Sequence, residues 1–399
     1  ISSIIKSNML VLPLLVLTLG TLGRGVENSL MFLYFLTGLI FLISSILRET
    51  SNKIDLSAKV IILIWLALYA EWLFTTLLQD ANNKGSKQWL VSFLASFIIL
   101  YSIKFRTEIS LAKILTNRLL HFSIILALLV YVVRLINCLS STNCEPTSSV
   151  SLISLAIYFP LIAIVLHYYY GQLWWKWFIA ISPLIFILLL LGDSRTELVM
   201  FLITMLSIVT FYYRKLVWVL LSPLALILVI FIFSYLVQTG DAVYQDDLKT
   251  FIYQVSSNRM AIWEHAITNP PDNILLGSGI NNSNAFLPEY EHSDAFHNAL
   301  LEIWYETGYL GLALWLTLFT ILLKDLFKVY LSKDNDFRFL YMIFLSCFVS
   351  VIVAGLLDKG YMSMHYRWTV YVFGALLFVI GQQITAKKIT DNPSNNEFR

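Results

Sequence analysis

Arg259, Trp263, His292, Asp294 and His297 share one polar stretch, between residues 238 and 297, of a chain that is otherwise almost continuous hydrocarbon. Imidazole is the one side chain whose ordinary pKa lets it take a proton near neutrality. A guanidinium is always charged, and its planar fork donates bidentately to phosphate or carboxylate. A loop that holds both can grip an anionic group and move a proton beside it. Arg259 and Trp263 stand four apart, on one helical face. Either the guanidinium stacks on the indole, or it faces an anionic ligand while the indole packs down. Arg195 follows Gly192-Asp193-Ser194 and also has two readings: an interfacial arginine paired with Asp193 or Glu197, or a second anion-binding group. Two arginines from different elements can hold a diphosphate without a metal.

His297 opens the run His297-Asn298-Ala299-Leu300-Leu301-Glu302. It is either a hydrogen-bonded structural residue at a membrane interface or a general base. His292 and Asp294 are near enough in sequence to orient it, or are simple loop polarity. Glu302 and Glu306 follow, as orienters or as caps and partners of basic residues, and Gly308 and Gly311 are read as allowing close helix packing.

The elements that position these residues follow from composition. The chain is 58% apolar, 15% aromatic and only 13% charged, with a mean hydropathy of +0.75, whereas about a quarter of soluble-protein residues are charged. This is a polytopic membrane protein. A net charge of +2, with no basic tract on a soluble domain, excludes nucleic-acid binding. Apolar runs near the ~20 residues that cross a bilayer as helix occur at 8–22, 29–47, 60–79, 89–103, 119–139 and 150–170. A second series follows at 174–192, 196–213, 216–238, 299–323, 339–357 and 368–384. The runs are too long for barrel strands and lack a period of two, which predicts an all-α fold of about twelve transmembrane helices. Residues 1–238 would carry helices one to nine, 239–297 an outer loop with short helices, 298–386 helices ten to twelve, and 387–399 a polar, irregular cytoplasmic tail. The first span lacks a small-residue cleavage site after it and is read as a retained helix.

Most of the 27 basic residues fall on one side if the N-terminus is cytoplasmic, which turns the large loop outward. Within that loop, Phe251, Val255, Ile262 and Ala266 have helical spacing, Pro270-Pro271 ends the pattern, and Leu275-Leu276-Gly277-Ser278-Gly279 predicts a tight turn. Glu71 and Arg134, both toward the outer ends of their spans, are read as a buried pair. Cys138 and Cys144 are placed for a disulfide or as two free thiols, and Cys347 as packing. No CxxC pair or HExxH helix is present, so no metal site is expected.

Three motifs together resemble the O-antigen ligase and polymerase superfamily of bacterial envelopes: Arg259-x-x-x-Trp263-x-x-Ala266, the turn at 275–279, and His297-Asn298 with Glu306-Thr307-Gly308-Tyr309-Leu310-Gly311. Arg195 after Asp193-Ser194 is similar to that family's Ser-Arg element, and Gly23-Arg24-Gly25 looks ligase-like. The resemblance implies an all-α, GT-C-like membrane fold with one large periplasmic loop between helices nine and ten. It also implies transfer of a polysaccharide from undecaprenyl diphosphate to a sugar hydroxyl of the lipid A core, with inversion and without cofactor or metal. Carried over, Arg195 and Arg259 would bind the diphosphate and His297 would be the base, with Arg24, His292, Asp294, Asn298 and Trp263 in support. The alternatives are an O-antigen polymerase using the same donor and, from a different class, a transporter of lipid-linked sugars. The implied partners are the lipid-linked donor, the lipid A-core acceptor and the inner-membrane lipids.

Overall fold

The computed structural model describes residues 56–78, 90, 93, 96–103, 114, 116–140, 150–191, 195–213, 259–279, 296–332, 334–357 and 364–391. Among these all the regular secondary structure is helical, with no strand. The helices are α1 (Leu56–Leu78), α2 (Arg118–Ser140), α3 (Val150–Tyr170), α4 (Trp174–Leu191), α5 (Arg195–Tyr213), α6 (Arg259–Thr268), α7 (Ala299–Leu322), α8 (Leu326–Tyr330), α9 (Asn335–Leu357) and α10 (Met364–Asp391), with a 3-10 turn at Gly171–Leu173 between α3 and α4. Helices fall on eight of the expected spans within a few residues of the apolar-run boundaries. One difference lies at the end: α10 continues past Lys387 and Lys388 to Asp391, because nothing in that polar stretch breaks a helix. The spans expected at 8–22, 29–47 and 216–238, and Arg24, Cys144, His292 and Asp294, lie outside the described residues.

Three of these helices are long and apolar enough to cross a membrane. Shorter apolar stretches occupy α3, α4, α5 and α10. Leu63, Leu66, Phe74, Leu129, Leu184 and Leu316 point outward, a surface that suits lipid and not water. This is the construction of an α-helical membrane protein. Hydroxyls within the spans bond back to their own helix, as Thr76 Oγ1 does to the Trp72 carbonyl (2.7 Å) and Ser346 Oγ to the Met342 carbonyl (2.9 Å).

Burial identifies the centre. The apolar window of α9 is 78% buried, against 44% for α1 and 50% for α7. Helix α9 packs against α5, α10 and α3, while α7 lies along α1. Polar bonds also join the helices: Thr204 and Ser350 hydroxyls at 2.6 Å join α5 to α9, and the Tyr69 hydroxyl on α1 donates to that of Tyr371 on α10 at 2.9 Å. Cys347 is buried in this core, as its apolar surroundings in sequence required. The far end of α7 is fastened through buried Asp325, which accepts from Lys328 Nζ (2.8 Å) and from Gln382 Nε2 (2.8 Å) on α10. Helix α7 is thereby held at the end opposite to the one that carries His297.

Candidate active site

Asn298 starts α7. Its side-chain oxygen accepts from the Leu300 and Leu301 amides (3.0 and 3.1 Å), which satisfies two donors that a helix start leaves orphaned. Immediately before the cap, His297 takes φ 53°, and it is the one non-glycine residue with positive φ among the described residues. Histidine tolerates this left-handed conformation better than most side chains, but it still costs about 1 kcal/mol or more and needs fixed flanks. On one flank stands the cap; on the other, Phe296 is fully buried against Tyr305, with ring centroids 4.9 Å apart. The backbone of half-buried His297 is therefore held in place by its neighbours on both sides.

Helix α6 docks on the same structure. Ile262 and Ala266, four apart, bury against Phe296, Trp304 and Tyr305. One turn from Arg259, the Trp263 indole N–H donates to the Phe296 carbonyl at 2.8 Å. The indole is thereby fixed to the peptide beside His297. Arg259 is the first residue of α6 and is half-buried. Its helix is thus tied to the peptide next to His297. Just before Pro270-Pro271 the Asn269 carbonyl accepts from the Tyr305 hydroxyl (3.2 Å), which closes the unit.

The turn at 273–279 completes it. Asn273 Oδ1 accepts from the Leu275 and Leu276 amides (3.2 and 3.0 Å), and Gly277 and Gly279 take φ 79° and 91°. This turn repairs a break in α7. Gly308, at φ 65° and ψ −172°, is not helical, so two of the helix's own bonds are lost: Tyr309 N–H to the Tyr305 carbonyl and Leu310 N–H to the Glu306 carbonyl. The turn replaces them one for one. Tyr309 and Leu310 amides donate to the Ile274 and Leu275 carbonyls (3.1 Å each), while Tyr305 and Glu306 carbonyls accept from the Ser278 and Gly279 amides (2.9 Å each). Irregular backbone at membrane depth is stable only when it is satisfied in this way.

The role expected of Gly308 is therefore corrected. It does more than let helices approach, because it breaks the helix at a φ that L side chains avoid, and a Cβ there would land on the Leu275 backbone. Gly308→Ala is expected to destabilise the fold by at least about 2 kcal/mol and to expose the turn to proteolysis. A variant with wild-type thermal unfolding and intact transfer would show that the pairing of turn and break is dispensable. Gly311 does serve close packing: a Cβ on it would stand 2.7 Å from Glu71 Oε2 on α1.

Glu71 Oε1 accepts from Thr75 Oγ1 at 2.9 Å, so this buried carboxylate meets α7 and its own helix. Arg134, its expected partner, belongs to α2, and its side chain is outside the described residues. Glu302 and Glu306 are both buried, four apart on α7, between His297 and the break. Arg195 is the first residue of α5; its side chain too is outside the described residues. Sequence reasoning missed Phe296, whose burial and carbonyl anchor the histidine. The signal was an aromatic residue directly before His297-Asn298.

These features define a helical membrane protein in which a loop helix and turn are bonded into the broken start of a span. Residues 179–316, roughly a third of the 399-residue chain, match the family model described as O-antigen ligase, and the match supports membership of the O-antigen ligase/polymerase superfamily. Arg195, Arg259, His297 and Gly308 all fall within the matched segment, and Arg24 and Glu71 fall outside it. The match supports a function of the O-antigen ligase or polymerase type and, in general terms, glycosyltransferase-like enzymatic activity. No curated protein matches the chain.

Proposed function

We propose that this protein is an O-antigen ligase of the bacterial inner membrane. It transfers polysaccharide from undecaprenyl diphosphate to a sugar hydroxyl of the lipid A core on the periplasmic face, as part of lipopolysaccharide assembly. The observation that carries this reading is the Trp263 to Phe296 hydrogen bond, which fastens the helix beginning with Arg259 to the peptide beside His297. A charged fork and a base on one rigid unit suit a reaction whose leaving group is anionic and whose nucleophile must lose a proton. The acceptor oxygen attacks the anomeric carbon of the sugar joined to the diphosphate. A new C–O bond forms as the bond from that carbon to the diphosphate oxygen breaks, with inversion. The bonding pair departs on undecaprenyl diphosphate, where Arg195 and Arg259 meet the added charge, and the hydroxyl proton passes to the His297 imidazole. Asn298 and Trp263 hold the histidine, while Arg24, His292 and Asp294 are assigned supporting roles by resemblance alone.

Purified protein given a lipid-linked donor, with either lipid A core or a second lipid-linked repeat as acceptor, tests the assignment. Transfer onto the lipid A core is expected. Elongation of the second lipid-linked repeat alone would make the protein a polymerase, and absence of any transfer would remove the enzymatic reading. Since arginines rather than a cation are assigned to the diphosphate, transfer should run at full rate in excess EDTA. A rate lost to the chelator and restored by a divalent ion would contradict that assignment.

A further inference from the structure

We propose that the turn at 274–275 is inserted in the hydrocarbon layer, where its aliphatic side chains pack against the acyl chains of bilayer phospholipids. The outer loop is then anchored in the membrane by its own turn as well as by the helices on either side of it. Two rulers place the turn at this depth. Helix α7 is regular from Tyr309 to Leu322 and is followed by exposed Lys324, the first charge beyond the apolar run. From Lys324 back to Leu310 is fourteen residues, about 21 Å of helix, whereas the hydrocarbon layer is about 30 Å thick. Leu310 therefore lies inside that layer, roughly 9 Å short of its far boundary. Backbone bonds hold Ile274 and Leu275 beside Tyr309 and Leu310, at the same level.

Helix α1 supplies the second ruler. Glu71 touches Gly311, and exposed Lys59 lies twelve residues before it, about 18 Å. Gly311 lies thirteen residues from Lys324, about 20 Å. The two estimates agree although they use different helices and different lysines.

The side chains at this level suit lipid. Ile274 is 44% exposed and Leu275 56%, next to Tyr309 at 53% and Leu310 at 40%. They continue the outward stripe of α7 that runs on through Ala313, Leu316 and Thr320. Nearly all of α7 before Tyr309 is covered by protein, so the stripe begins where the turn joins it. Asn273, which precedes the aliphatic pair, is itself exposed, and its side-chain oxygen is taken up by the Leu275 and Leu276 amides. Asp272 is exposed and stands two residues before Ile274, toward α6.

Spin-label accessibility tests the proposal in phosphatidylcholine vesicles, which contain no isoprenoid lipid and require no turnover. Leu275→Cys is labelled with a nitroxide in a background carrying Cys138→Ser and Cys144→Ser, with buried Cys347 left in place. Collision with oxygen should exceed collision with a water-soluble nickel chelate, in a ratio close to that of a label on Leu66→Cys of α1. A label on Asp272→Cys should shift toward nickel. Ile274→Cys, labelled separately, reports the same level should the first variant fail to assemble. Nickel accessibility at 274 and 275 equal to that at 272 would overturn the insertion.

Discussion

Replacing His297 with asparagine is expected to lower transfer by about 10²- to 10⁴-fold, the range that a positioned general base contributes. Asparagine is the informative substitute because His297 sits at φ 53°, and asparagine accepts that conformation with little strain. Alanine removes the base as well but adds backbone strain, so a loss with His297→Ala alone would mix chemistry with folding. For the asparagine variant, thermal unfolding in detergent and donor binding should stay near wild type, because Phe296 and Asn298 still fix the segment. Unchanged turnover by this variant would remove the imidazole from the mechanism.

The second large effect is expected at the arginines. Arg259→Lys keeps the charge and loses the fork, so a diphosphate held by two parallel N–H donors would keep a single point contact. A loss of one charge-assisted bond, about 1.5–3 kcal/mol, corresponds to roughly 10- to 100-fold in kcat/KM. Arg195→Lys should behave alike. Because both groups would grip one ligand, the double variant should fall short of the product of the single losses. Wild-type donor affinity and rate in both lysine variants would show that neither arginine clamps a diphosphate.

What was legible in the sequence was what the bilayer dictates locally. An apolar run of fixed length has one way to satisfy its backbone in lipid, and so α1 and α3, for example, lie where the runs at 60–79 and 150–170 placed them. The turn was legible because Gly277 and Gly279 allow positive φ. Its partner was not. The bonds from 274–279 to 305–310 join segments some thirty residues apart through backbone atoms, which leave no mark on side-chain pattern. Gly308 looked like a small packing residue because a glycine needed for its φ and one needed for its size are the same letter. The expected pairing of Glu71 with Arg134 falls on a side chain outside the described residues, whereas its contacts with Thr75 and with Gly311, where an absent side chain makes room, leave no mark in a charge pattern. At the site, the types of Arg259 and His297 were legible, whereas the Phe296 carbonyl that links their elements was not.

A cryo-electron microscopy map of the protein in nanodiscs with undecaprenyl diphosphate bound is the most direct test. The account predicts the diphosphate between Arg195 and Arg259, at charge-assisted distances of about 2.7–2.9 Å, with the His297 imidazole facing the side from which an acceptor hydroxyl would approach. A diphosphate bound elsewhere, or Arg195, Arg259 and His297 found in unrelated surroundings, would contradict it.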